Sequence, residues 1–191
     1  MKIPIQKHEI RRILGGRHEN LHRDFLGMDI TDRRVEPIYR NVFYVSYLDP
    51  TGWNMYKSGT PAICDYRDGF IYCYWDILVP LTEARLVHEF AHRAARFRRS
   101  IGVWSSGVAV SDAWIRINEA ITEYLTCLLC GSRYEEQVRP ENRYLIYLPA
   151  VRRLEEEIGR QSLVRCYLDH DVSLLKDYVT PAGRSGYFRF R

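Results

Sequence analysis

The chain has 191 residues, 46% of them hydrophobic and 27% charged, with a formal net charge of +4. That length carries one domain with a proper core, and the composition lacks the apolar depletion of a disordered chain. No run approaches about 18 uncharged apolar residues and the opening MKIPIQKHEIRRIL has no continuous apolar region, so a secretory leader and a membrane span are excluded as expectations and a cytoplasmic address is the default.

Residues 6–14 read as a short helix stopped by Gly15 and Gly16, with a polar, charge-rich stretch beyond it to about residue 34. Residues 38–48 are rich in aromatic and β-branched side chains and read as a strand closed by a turn at Asp49-Pro50-Thr51-Gly52. A second strand spans residues 69–75, bulky on both alternating faces as in a sheet covered on each side, after a turn at Arg67-Asp68-Gly69. Past Pro80, residues 83–98 form a predicted helix with Leu86, Val87, Phe90, Ala91 and Ala94 at its apolar positions and Thr82 as N-cap. Arg93, Arg96, Arg98 and Arg99 then read as a solvated helix end, where cations oppose the helix dipole.

Residues 100–110 are small and aperiodic, hence a loop. Ser111 caps a helix over 112–130 that Gly131 terminates. Pro140 opens a further helix through Tyr144, interrupted near Pro149 and resuming to Gly159, and shorter helices cover 161–168 and 172–178. No repeat or Pro/Gly/Ser-rich linker divides the chain, so residues 1–191 read as a single domain. Strands followed by helices make an α+β arrangement. Five cysteines, an odd number thinly spread, are expected as reduced thiols; Cys127 and Cys130 have CxxC spacing but lie among leucines of one helix and read as core.

The segment with the most specific chemistry is His88-Glu89-Phe90-Ala91-His92. Two imidazoles four residues apart lie one helical turn apart on one face and can hold one ion. Glu89, about 100° round the helix, can reach a ligand of that metal without binding it. A catalytic zinc takes a third protein ligand and leaves a fourth position to water. A metzincin requires glycine at 95 and histidine at 98, where this chain has Ala95 and Arg98. His170 is distant, in a charged loop. The other offer is Asn118-Glu119-Ala120-Ile121-Thr122-Glu123, inside the 112–130 helix.

HEFAH followed by NEAITE resembles the gluzincins, and thermolysin-like peptidases in particular, whose second motif reads NExx[ST][DE]. The resemblance covers roughly residues 69–130. It implies a zincin-like fold, with a small mixed sheet packed on the active-site helix and a helical C-terminal part. It implies that Glu119 is the third Zn2+ ligand and that Glu123, four residues on, accepts a hydrogen bond from a ligating histidine, with Asn118 as a further supporting residue. The i, i+4 spacing is compatible with one carboxylate on the metal and its neighbour orienting an imidazole. Arg93 departs from the family pattern, in which an uncharged residue is usual after the first motif.

The expected activity is hydrolysis of a protein or peptide substrate by a metal-activated water, with Glu89 as general base. Tyr144 is a candidate for stabilising the oxyanion. Tyr72 and Tyr74 are candidates for substrate binding, in a docking mode where an extended substrate adds as a strand alongside residues 69–75. A second HExxH, His18-Glu19-Asn20-Leu21-His22, has a polar interior, flanking arginines and no matching carboxylate motif, and reads as a solvated segment. Two alternatives stand beside the peptidase: a zinc-binding interaction protein without hydrolysis, and a nucleic-acid-associated protease using the arginine cluster as a phosphate-binding patch. Nucleic acid is not the expected partner, nor is a membrane, and oligomeric state is left open.

Overall fold

A computed structural model of the chain describes residues 2–14, 41–75, 81–134, 145–181 and 188–190. The chain is mixed α+β and divides into two compact units, Met1–Arg93 and Ala94–Arg191.

The first unit runs β1 (Lys2–Pro4), α1 (Lys7–Ile13), β2 (Val42–Val45), α2 (Pro50–Ser58), β3 (Ala62–Asp65), β4 (Phe70–Tyr74) and α3 (Glu83–Ala94), whose last residue belongs to the second. Its four-stranded sheet has the order β1-β2-β4-β3. β1 is antiparallel to β2, β2 parallel to β4, and β3 antiparallel to β4. Alternation along β4 sorts the side chains. Tyr72 joins Val45 of β2 and Met55 of α2 in one buried cluster, flanked by Phe43, Ile63, Phe70 and Tyr74, while Ile71 and Cys73 are buried as well. The expected coverage of the 69–75 strand on both faces therefore holds for its central residues.

The predicted turn at 49–52 is instead the start of α2. Asp49 is extended and accepts a hydrogen bond from the Thr51 amide at 3.0 Å, and Pro50 occupies the first helical turn, where its missing N–H costs nothing. The same residues that favour a turn thus serve as a helix start once an amphipathic segment follows. Gly52 is required by close approach, since a Cβ there would lie 2.1 Å from the Ser46 carbonyl oxygen.

The second unit contains the antiparallel hairpin β5 (Arg96–Ser100) and β6 (Val103–Ser106), a 3-10 turn at Asp112–Trp114, α4 (Ile115–Cys130), a 3-10 turn at Leu145–Tyr147, α5 (Leu148–Ile158), α6 (Arg160–Asp169), a 3-10 turn at Leu174–Asp177, and the pair β7 (Val179–Pro181) and β8 (Phe188–Phe190). Ile117, Ile121, Leu125, Val151, Leu154, Leu163, Val164 and Leu168 fill its helical core. Glu155 of α5 accepts hydrogen bonds from the Tyr124 hydroxyl of α4 and from Arg160 at the start of α6.

Three further expectations change here. The helix expected to reach residue 98 ends at Ala94, and the expected loop after it is β6 with its turn. Residues 96–100 alternate as readily as they spiral, and the partner strand brought round by Gly102 (φ +73°) decides for pairing. The arginines at 96, 98 and 99 accordingly lie on a strand and not at a helix end. Pro149 opens α5 instead of interrupting a helix, as its fixed φ suits a first turn. The expected helix from Pro140 through Tyr144 lies outside the described residues, as does His18–His22. Among the described residues no helix is long and apolar enough to cross a membrane.

Candidate metal centre

α3 presents the first half of the site. Thr82 begins the helix as expected: its hydroxyl accepts from the Arg85 amide at 3.4 Å and its carbonyl from the Leu86 amide at 3.2 Å. Leu86, Val87, Phe90 and Ala91 are buried, which fixes the helix's rotation about its axis and hence the direction of the residues between them. His88 and His92 then stand one turn apart, with their Nε2 atoms 3.1 Å from each other and their rings near perpendicular at 76°. His92 is only 3% exposed, and the Tyr66 ring, on the residue after β3, meets its ring edge-on with centroids 5.8 Å apart.

Glu89 is 9% exposed. Its carboxylate lies close enough to the Cys73 thiol of β4 to raise that thiol's pKa, in addition to the larger upward push from burial.

α4 supplies the rest of the candidate residues. One ligand-capable atom each from His88, His92 and Glu119 fall within 4.8 Å of one another, and together these three are a group able to hold a metal ion. The donor set fits a divalent transition metal: two imidazole nitrogens and one carboxylate oxygen are the ligand types such ions take, and three protein ligands leave room for an exchangeable fourth. Glu89 is not part of that group.

The neighbours of Glu119 are pinned. Asn118 is buried and accepts a hydrogen bond from the Val108 amide at 3.0 Å, which ties the turn after β6 to α4. The turn comes so close that a Cβ on Gly107 would lie 2.0 Å from Asn118 Oδ1 and 2.4 Å from Tyr167 Cε2, and Gly107 adopts φ +53°. The Thr122 hydroxyl, one turn on from Asn118, bonds its carbonyl and meets the Tyr167 hydroxyl, both at 2.8 Å. Glu123 is buried and accepts from the Tyr134 hydroxyl, whose own pKa is pushed far up by burial and then by that hydrogen bond to Glu123. His170, sequentially remote, donates from Nδ1 to the Gly107 carbonyl at 3.2 Å and stacks on Phe97 with ring centroids 4.0 Å apart.

The remaining candidates separate by position. Tyr144 lies outside the described residues. Tyr72 is 2% exposed, donates to Asp68 at 3.0 Å and accepts from Lys2 at 3.0 Å; Tyr74 is partly buried with its ring 6.0 Å from that of Tyr56. Docking of a substrate strand alongside residues 69–75 is corrected by the sheet itself, because β4 is paired on both sides, with β2 and with β3. A strand with both rows of backbone groups engaged offers no edge. Among the described residues the sheet ends instead at β1 and β3.

Two residues of this neighbourhood carried no signal in the sequence. Tyr66 follows a strand too short to stand out, and Tyr134 lies past the helix stop at Gly131, where periodicity no longer predicts a partner. No protein-family model, curated protein or solved structure matches the chain.

Proposed function

We propose that the chain is a zinc-dependent metallopeptidase of the gluzincin type, with a zincin-like arrangement of sheet and active helix. The observation that carries this reading is the convergence of His88, His92 and Glu119. The spacing of the imidazoles is compatible with zinc: two nitrogens each about 2.0–2.1 Å from a tetrahedral ion lie about 3.3 Å apart, and these lie 3.1 Å apart.

When bound, zinc supplies Lewis acidity, bringing the pKa of a coordinated water toward neutrality and polarising a carbonyl. Glu89 does the proton work, accepting a proton on its carboxylate from the attacking water and returning it to the departing amine. His88 and His92 serve as ligands on a helix whose buried face forbids rotation, so the site is built before substrate arrives. Tyr66 packs against His92 and keeps the ring from turning. Asn118 and Glu123, held by Val108 and Tyr134, fix the stretch of α4 that carries Glu119. Among the described residues β3 ends the sheet, and it leads through Asp65 to Tyr66, which meets His92; an extended peptide would lie along this side.

The test is metal analysis of purified protein beside a Glu119→Ala variant, followed by a peptide-library cleavage assay with and without chelator. Zinc near one ion per chain in the wild type, lost with Glu119, and cleavage that the chelator stops are expected. A metal-free wild type, or cleavage indifferent to chelation, would refute the reading.

A further inference from the structure

The β5–β6 hairpin has a graded surface that the metal centre does not use. Its turn is Ile101-Gly102, with Gly102 at φ +73° and open space around it. Ile101 is 90% exposed, more than any other large hydrophobic residue described, and Val103 beside it is 39% exposed. Next come the arginines. Arg98 is exposed and pairs in register with Trp104, and the Arg96 guanidinium lies 4.1 Å over the Trp104 ring. Arg99 is engaged separately, in an ion pair with Asp112 at 3.0 Å. Farther along, Phe97 stacks on His170, which anchors the base of the hairpin to the end of α6.

We infer that this hairpin docks the protein on an anionic phospholipid surface. The order of apolar tip, tryptophan and arginine collar, and anchored base matches the order of a bilayer interface, where hydrocarbon gives way to a headgroup layer that favours indole rings and arginine. Ile101 lies three positions beyond Arg98, a reach of about 10 Å along a strand, comparable with the depth to which interfacial elements bury their apolar side. Arg96 and Arg98 meet lipid phosphate while their aliphatic stems stay in the apolar layer. Attachment of this kind lies at one leaflet and needs no spanning segment. Duplex or single-stranded nucleic acid also attracts arginine, but it offers little to an exposed isoleucine tip, and the Trp104 face on which a base would stack already carries Arg96.

Flotation of the full chain with phosphatidylcholine vesicles, with and without phosphatidylserine, tests the inference. The chain is expected to float with the serine-containing vesicles and not with the neutral ones, less so as salt rises. Ile101→Asp should weaken binding about tenfold or more, and Arg98→Ala about fivefold. An Ile101→Trp variant should shift its emission to the blue on adding the same vesicles. Ile101 sits in an open turn, so circular dichroism should show each of its variants folded. Failure to float with anionic vesicles at low salt overturns the inference, as does flotation unchanged by Ile101→Asp. Binding to duplex DNA that Arg98→Ala weakens and Ile101→Asp leaves intact, with vesicles ignored, overturns it in favour of a nucleic-acid surface.

Discussion

Glu89 differs from its neighbours on α3 in what it can lose. It is buried beside Cys73 and is not one of the three residues able to hold the ion, so its role in the proposed reaction is confined to the proton. Glu89→Gln keeps shape and removes the base. Peptide hydrolysis should fall by a factor of about 100 or more while zinc content measured by elemental analysis stays at the wild-type level; retained turnover would remove Glu89 from the mechanism. Gly107 is the opposite kind of residue, far from any chemistry of its own but forced by contact. Gly107→Ala places a methyl group against Asn118 and Tyr167 at a backbone angle that side chains resist. It should destabilise by about 2–4 kcal/mol in urea unfolding; a loss within experimental error would mean the turn relaxes freely. At this scale the placing of His88 and His92 one turn apart was legible, because helical spacing sets it by local geometry. Tyr66 and Tyr134 were not, because each meets its partner only after a turn has reversed or bent the chain.

Elements depend on residues at their ends and junctions. α2 was hidden in the sequence because Asp-Pro-Thr-Gly suits a turn as well as a helix start, and the choice falls to Met55, which buries against Val45 and Tyr72. Asp49→Ala should therefore lower stability by about 1 kcal/mol, the usual worth of an N-cap, as measured by chemical denaturation. Glu155 makes a pH-dependent contribution at the α4, α5 and α6 junction. Burial alone would raise its pKa, but hydrogen bonds from Arg160 and Tyr124 outweigh this and hold it below the ordinary 4.5. A depressed carboxylate stabilises the folded state above its unfolded pKa, and that contribution fades as pH falls from about 4.5 through the folded value. Glu155→Gln should cost about 1 kcal/mol at neutral pH and converge with wild type in strong acid. Parallel acid-unfolding curves would contradict the assignment.

For the whole molecule, a metal that binds only the folded chain must stabilise it by mass action. Zinc at about 100 times its dissociation constant should add about 2.7 kcal/mol and raise the thermal midpoint, with chelator reversing the shift and Glu119→Ala abolishing it. An identical midpoint with and without zinc would leave the cluster without a ligand. The expectation of a mixed α+β chain holds; the strand expected over 69–75 is found at Phe70–Tyr74, the helix expected over 83–98 stops short at Ala94, and the helix expected over 112–130 is found at Ile115–Cys130 after a 3-10 turn. Their signals are local: alternation, a 3.6-residue period, a capping hydroxyl and a terminal glycine.

The sequence by itself determined that His88 and His92 share one helix face, because side-chain spacing on a helix depends on backbone geometry that any stable helix repeats. Only the tertiary structure decided that β4 is an interior strand with no free edge, that the arginines after Ala94 ride on a hairpin, and that Asn118 and Glu123 are held by Val108 and Tyr134. Those outcomes rest on pairings between segments remote along the chain, whose competing partners differ little in local propensity and are resolved by which arrangement buries the most apolar surface with its backbone hydrogen bonds satisfied.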